Sequence, residues 1–402
     1  MVVKENMAIF GGKPVRDTLL PYGSQWIDEK DIEAVVATLQ SDFITTGPTI
    51  ERFERKLSDY VGSKYAVAFS NGTAALHAAC FAAGVTEGDE VITTPLTFAA
   101  SANCVLYMGG KPVFADVDPN TYNIDPVSVE SLVTRRTKAI IPVDFTGQPA
   151  DYEKLQSIAS ENGLVIIEDA AHALGADSKG KKVGSFSDMT MFSFHPVKHI
   201  TTGEGGAITT NNPVYYEKLK LFRTHGITRD VNQLEQERKD WEYEMQCLGM
   251  NYRLTDIQAS LGISQLKKLA GFVEKRKEYA RLYTKAFEKM DHVVPPFQME
   301  GSQSSWHLYI IRLKGPLAKQ RTEVFQALRA ENIGVNVHYM PVHTQPYYQR
   351  LGYSSGACPI AESIYEQVIT LPLFPKMTKG DVRDVIRAVK KVVTHYEKEA
   401  GV

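Results

Sequence analysis

The feature that most constrains the fold is a regular alternation of strand-like and helix-like segments through the first two-thirds of the chain. KYAVAFS reads as a strand, and SNGTAALHAACFAAG opens a helix at residues 71–73. DEVITTP, KPVFADV, KAIIPVDF and LVIIED repeat the strand pattern, with helices in TFAASANCVLYMG, VSVESLVTRRT and YEKLQSIASENG between them. Such alternation implies βαβ units, hence an α/β fold with a large, mostly parallel sheet covered by helices on both faces. Ligands of these sheets bind beyond the carboxyl ends of the strands. Residues 71–73, residues 95–98, Asp169 and Lys198 all fall at strand ends or helix starts, so their chemistry is expected at one edge of the sheet.

After about residue 210 the pattern changes. NPVYYEKLKLFRTHG and LTDIQASLGISQLKKL carry apolar residues at spacings of three and four, and a long helix is expected to follow over 266–290. SSWHLYIIRL, IGVNVHY and VITLPL read as strands, with helices over 322–332, 359–367 and 378–396. The expected division is a large α/β unit, 1–265, and a smaller C-terminal α+β unit, 266–402. The charged stretch 227–245 reads as an exposed excursion.

Two segments carry the chemistry. In LVIIEDAAHALG a buried strand runs out of apolar residues at Glu168 and Asp169; in MFSFHPVKHITTGEGG a short strand leads to a loop with Lys198 and then a glycine-rich turn. An acid at a strand end and a loop lysine ahead of glycines are what pyridoxal phosphate chemistry requires. The lysine amine condenses with the cofactor aldehyde, and the carboxylate keeps the pyridine nitrogen protonated, so that the ring accepts electrons. SNGTAAL sets a glycine-containing turn at a helix start, where N–H groups and the Thr73 hydroxyl face an anion and Gly72 permits close approach. Alone the motif is an N-cap; after a strand, and in company with Lys198, it reads as a phosphate site. Ser193 reaches the same phosphate. His172 has two readings, a satisfied structural histidine or a partner of the cofactor's phenolic oxygen. Phe98 either stacks on the ring or belongs to the core.

Other classes are set aside on the same grounds. His195 and His199 have a helical metal-site spacing, but Pro196 between them opposes a helix, and no metal is expected. GADSKGKK places Lys182 where a P-loop needs Ser or Thr, and GEGG is not a dinucleotide fingerprint. A net charge of −2 over 402 residues gives no footprint for nucleic acid. No apolar run is long enough to span a bilayer, and MVVKENMAIFGGKPVRD lacks a signal core, so a cytoplasmic location is expected. Cys80, Cys104, Cys247 and Cys358 form no CxxC pair and read as small buried hydrophobes.

SNGTAAL, PLTF, KAIIPVDFTGQPAD, IIEDAAHALG, FSFHPVKHITTGEGG and GMNYRLTDIQASLGISQL together resemble the DegT/DnrJ/EryC1/StrS family of sugar aminotransferases, over nearly the whole chain. Within it, WEYEMQCLGMNYRLTDIQ and VHYMPVHTQPYYQ are similar to aminotransferases of UDP-4-keto sugars in pseudaminic acid biosynthesis. The resemblance implies the fold type I architecture of pyridoxal 5′-phosphate enzymes and a homodimer with shared active sites. It implies Lys198 as covalent anchor and proton shuttle, Asp169 at the pyridine nitrogen, His172 near the phenolic oxygen, and Gly72, Thr73 and Ser193 at the phosphate. Phe98 falls where relatives often carry a more extended aromatic, and Asn251 matches a residue that reaches the neighbouring subunit's phosphate. Tyr22, Asp42, Phe43, Ile44, Thr45, His338, Tyr339, Met340 and Pro341 are the implied substrate contacts. The implied reaction moves the amino group of L-glutamate to C4 of a UDP-4-keto-6-deoxy-N-acetylhexosamine, giving UDP-4-amino-4,6-dideoxy-N-acetyl-β-L-altrosamine. The alternatives are another 4-keto substrate (UDP-4-keto-arabinose or a dTDP-sugar), or a non-catalytic regulator on the same fold. The family's sugar dehydratases replace the lysine by histidine, whereas Lys198 is present here.

Overall fold

A computed structural model describes residues 6–230, 234, 239 and 241–401. Its main sheet comprises β1 (Tyr65–Phe69), β2 (Glu90–Thr93), β3 (Lys111–Phe114), β4 (Thr137–Ile141), β5 (Val165–Asp169), β6 (Met189–Ser193) and β7 (Gly206–Thr210). The order is β1-β7-β6-β5-β4-β2-β3. β7 runs antiparallel to both neighbours and every other pairing is parallel. The expected mostly parallel α/β sheet is therefore present. Its one reversal has a local cause: the loop 194–205 holds the lysine and a glycine turn instead of a crossover helix, so the chain returns antiparallel beside β6.

Side chains alternate across the sheet, and both faces are covered. On one face Val91, Ile141 and Ile167 pack with Leu76 and Cys80 of α3 (Gly72–Ala82) and with Cys104 of α4 (Ala100–Tyr107). On the other, Ile92, Ile140 and Ile166 meet Val129 of α5 (Pro126–Leu132) and Leu155 and Ile158 of α6 (Tyr152–Asn162). Phe53 and Leu57 of α2 (Pro48–Val61) cover Phe192 and Ala207. Each such fully buried aliphatic or aromatic side chain contributes about 1.5–3 kcal/mol.

The C-terminal part builds its own core. β8 (Val293–Val294), β9 (Tyr309–Leu313) and β10 (Val368–Leu371) form a three-stranded antiparallel sheet. The helix Lys379–Glu399 packs here through Val382, Val385, Val389, Val392 and Val393. Met7 and Leu20 join this cluster. The long helix Leu269–Phe287 touches both cores, with Leu269 and Val273 in the main one and Tyr279, Tyr283 and Phe287 in the C-terminal one. We keep the division 1–265 and 266–402 as a proposal on this ground, with the N-terminal segment crossing to the second unit.

Two local expectations change. The strand expected in IGVNVHY is irregular, pinned by single bridges from Ile333 to Leu20 and from Asn336 to Thr370. Its partners are split: Gly334 N–H donates to Leu20 O of the N-terminal segment at 2.7 Å, whereas Asn336 exchanges both backbone bonds with Thr370. The excursion 227–245 begins and ends as a small antiparallel ribbon, Ile227–Thr228 against Glu244–Met245. Most of what lies between falls outside the described residues. Among the described residues no helix is long and apolar enough to cross a membrane.

Behind the sheet edge lies a buried acid pair, Asp144 and Glu168. Asp144 Oδ1 accepts from Ala150 N–H (3.0 Å) and Tyr152 O–H (2.9 Å), and Glu168 Oε2 accepts from Thr190 O–H (2.6 Å). Their other oxygens, Asp144 Oδ2 and Glu168 Oε1, have no donor among the described residues, and the two carboxyls lie within hydrogen-bonding reach. One shared proton satisfies both, and burial pushes both groups up. A carboxyl raised on folding favours the protonated native state. Its stabilisation is complete below the ordinary value of 3.8 and is lost as pH rises through the folded value. Asp144→Asn supplies the shared hydrogen at every pH. Its melting temperature should therefore match wild type in acid and exceed it in alkali, whereas Asp144→Ala should cost about 3 kcal/mol. A scanning calorimetry series over pH checks both.

Candidate active site

The carboxyl ends of β1, β2, β5 and β6 open on one cavity of about 1010 Å³. At one end is the start of α3. Asn71 caps this helix, its Oδ1 accepting Ala74 N–H at 2.8 Å. The N–H groups of Gly72 and Thr73 then have no acceptor among the described residues, and both residues line the cavity. Ser193, at the end of β6, stands opposite. The approach is close because two side chains are missing. A Cβ on Gly72 would lie 3.2 Å from Ser193 Cβ, and one on Gly206 would lie 2.6 Å from Asn71 O. Free N–H groups, two hydroxyls and the positive end of a helix suit a phosphate.

Asp169 and Lys198 line the same cavity; Asp169 is buried and Lys198 half-buried. Asp169 Oδ1 accepts Ala171 N–H at 3.1 Å, and Oδ2 accepts the Ser101 hydroxyl at 2.6 Å. Burial pushes the Asp169 carboxyl up, while Ser101, the Ala171 N–H and the Lys198 charge pull it back. Lys198 follows β6 in a turn closed by its N–H on His195 O at 2.9 Å. Burial brings its ammonium down to about 8; Asp169 opposes this and Arg276 adds to it. Arg276 is itself buried, and it donates to the carbonyls of Trp306 (3.2 Å), His307 (3.0 Å) and Leu373 (2.7 Å).

A wall of neutral histidines flanks this pair. His172 Nε2 shares a hydrogen bond with the Tyr339 hydroxyl at 3.3 Å, and its ring centroid lies 4.3 Å from that of His307. His199 bonds Ser305 O at 3.2 Å. Burial holds all three well below the ordinary histidine range, and it brings His338, bonded to Thr370 Oγ1 at 2.8 Å, down to about 3. His172 Nδ1 is buried without a partner among the described residues, which leaves a polar atom for a ligand. A phosphate cradle, a half-buried lysine and a buried acid in one cavity fit a pyridoxal phosphate.

The structure thus brings together Tyr22, Gly72, Thr73, Phe98, Asp169, His172, Ser193, Lys198, His338, Tyr339 and Met340. Pro341 does not line the cavity but follows Met340 directly. Asp42, Phe43, Ile44, Thr45 and Asn251 lie outside it, on an exposed surface. There Thr45 bridges to Thr255, and Ile44 O accepts Asp256 N–H at 3.0 Å. Asn251 bridges to Thr224 and directly precedes Tyr252, a lining residue. Ser101, Thr97, His307 and Arg276 were not anticipated from sequence. A hydroxyl four residues after Thr97 in TFAAS is the one available signal for Ser101; His307 and Arg276 left none.

Residues 25–390 match the description of the DegT/DnrJ/EryC1/StrS aminotransferase family. The spore coat polysaccharide biosynthesis protein SpsC of Bacillus subtilis is 41% identical over 381 residues, covering 94% of this chain and 98% of that protein. The UDP-4-amino-4,6-dideoxy-N-acetyl-beta-L-altrosamine transaminase of Campylobacter jejuni is 39% identical over 370 residues, 91% of this chain and 96% of that one. Helicobacter pylori PseC, an aminotransferase involved in the biosynthesis of pseudoaminic acid, superposes with a TM-score of 0.87 at 34% identity, covering 93% and 99% of the two chains.

Proposed function

The chain belongs to the DegT/DnrJ/EryC1/StrS aminotransferase family, as a pyridoxal phosphate-dependent sugar aminotransferase, and from that premise we propose its substrates and the roles of its residues. It moves the amino group of L-glutamate to C4 of a UDP-4-keto-6-deoxy-N-acetylhexosamine, giving UDP-4-amino-4,6-dideoxy-N-acetyl-β-L-altrosamine. The observation that carries this reading is the single cavity in which Lys198 and Asp169 meet the cradle of Gly72, Thr73 and Ser193. Its wall of His338, Tyr339 and Met340 leaves a side for the sugar. The Campylobacter jejuni and Helicobacter pylori relatives support the choice of sugar. When bound, the cofactor supplies an electron sink and a carbonyl for amino exchange.

The protein's part is positioning and proton transfer. Gly72, Thr73 and Ser193 hold the phosphate end, and Asp169 holds the ring-nitrogen end. Lys198 Nζ takes the proton from the donor's Cα and, in the second half of the cycle, delivers one to C4 of the sugar. Its burial and lowered basicity keep a fraction as free amine near neutral pH. Phe98 covers the ring, and His172 supports the phenolic oxygen.

The working unit is a homodimer in the cytoplasm. Ile32, Val36, Leu39, Phe43 and Ile44 are all exposed along one stretch of chain, an apolar surface that a second copy could cover. On this reading Asn251 and residues 42–45 serve the second copy's cavity. Four free cysteines, three of them buried, suit a reducing compartment. A second reading keeps the chemistry and changes the sugar nucleotide, and the match to the spore coat polysaccharide protein favours it. Incubation with glutamate and a panel of 4-keto sugar nucleotides, read by NMR, decides between them. Amination of the N-acetylhexosamine is expected at the highest kcat/KM, at the solution mass of two chains. A preference for 4-keto-arabinose or a dTDP-sugar overturns the first reading.

A further inference from the structure

We propose that Thr97 and Ser101 form a one-way hydroxyl relay that holds Asp169 as an anion toward the cofactor ring, making both positioning residues for the reaction. The inference rests on the reading of Asp169 given above. A serine hydroxyl has one proton. That of Ser101 has three acceptors in reach, Asp169 Oδ2 at 2.6 Å, Thr97 Oγ1 at 2.7 Å and Phe98 O at 3.3 Å. The shortest, charged acceptor wins. Ser101 Oγ is then left to accept, and Thr97 Oγ1 stands 2.7 Å away with a proton to give. The direction is therefore Thr97 to Ser101 to Asp169, with both O–H dipoles aimed at one carboxylate oxygen.

Burial makes the relay matter. Ser101 is 0% exposed, Thr97 3% and Asp169 4%, so water has little room to replace a lost donor. Burial favours the protonated acid at Asp169, and Ser101 is the strongest of the contacts that oppose it. A protonated Asp169 has no charge with which to hold a proton on the ring nitrogen. Lys198, Cys104 and Tyr339 are the other ionisable groups felt at this carboxylate. Cys104 and Tyr339 keep their protons because burial raises both, so Lys198 alone among these can carry a charge near neutrality. The relay also spans the turn that carries Phe98, which is 64% exposed in the cavity. It thereby ties the residue proposed to cover the ring to the acid proposed for the ring nitrogen.

The test uses holoenzyme of wild type, Ser101→Ala, Ser101→Thr, Thr97→Val and Asp169→Asn. The readouts are the cofactor dissociation constant, the visible spectrum of the bound cofactor, and kcat and KM of the glutamate half-reaction. Ser101→Ala should lower kcat about ten- to a hundredfold with little change in KM, weaken cofactor binding, and shift the spectrum toward that of Asp169→Asn. Thr97→Val should give a smaller loss, about three- to tenfold, through the same spectral change. Ser101→Thr should restore most of the activity. The double variant Ser101→Ala/Asp169→Asn should be no worse than Asp169→Asn alone. A wild-type spectrum and kcat in Ser101→Ala, beside an impaired Asp169→Asn, overturns the relay and leaves the Asp169 reading standing. Silence in both overturns the Asp169 reading itself. Should Ser101→Ala fail to fold, Thr97→Val decides alone, and an unchanged spectrum there rejects the relay.

Discussion

Lys198→Ala should fold normally and lose amino-group transfer by about 10⁴-fold or more. The fold should survive because the side chain accepts and donates no hydrogen bond among the described residues, and its amine is destabilised by burial. The cradle at residues 72, 73 and 193 is untouched, so the variant should still bind cofactor without a covalent link. Borohydride reduction followed by peptide mapping should label residue 198 in wild type and no residue in the variant. The pH dependence has a definite sign. Only the neutral amine attacks an aldehyde, and the Lys198 ammonium lies at about 8. Covalent capture of cofactor by the apoenzyme should therefore quicken up to about pH 8 and level off above it. A lysine at its ordinary value of 10.5 would keep gaining rate two units further. Wild-type turnover in Lys198→Ala, or label on another side chain, would remove the basis for the mechanism.

The parts legible in the sequence were local ones. β1, β2, β4 and β5 each carry a short run of consecutive apolar residues, AVAF, VI, AII and VII; most of these are buried, and the runs recur along the chain. Asp169 and Lys198 stood out because charge ends an apolar strand in one case and precedes a glycine turn in the other. The partners of these residues were hidden by distance. Ser101 lies 68 positions from Asp169 and looks like any hydroxyl at a helix start. His307 sits in a strand-like run whose alternation says nothing about a ring 4.3 Å away on His172. IGVNVHY alternates as a strand should, yet its backbone bonds are split between Leu20 of the N-terminal segment and Thr370 of β10. Residues 42–45 and Asn251 carried no pattern that separates a substrate contact from an exposed surface. Their place outside the cavity is what the proposed second chain would account for.

Asp169→Asn should lower kcat about a hundred- to a thousandfold while leaving the fold as stable as before, or more so. The substitution is isosteric. The asparagine oxygen still accepts Ala171 N–H, and the amide nitrogen can donate to Ser101 Oγ if that hydroxyl turns to Phe98 O. What disappears, on the proposed reading, is the negative charge that would keep the ring nitrogen protonated. Folding disfavours that charge, because burial raises the carboxyl. In the apoenzyme the raised group contributes stability below its ordinary value of 3.8 and loses it as pH climbs through the folded value. The neutral asparagine has no such dependence, so apo Asp169→Asn should melt at or above apo wild type at neutral pH. Cofactor should reverse the order, since it stabilises the form whose anion pairs with its ring. The stability lost without cofactor and regained with it is thus the signature of a carboxylate kept for chemistry rather than for the fold. Thermal melts of both proteins, with and without pyridoxal phosphate, should cross. Parallel melts, in which cofactor raises both proteins equally, would mean that Asp169 does not face the ring nitrogen.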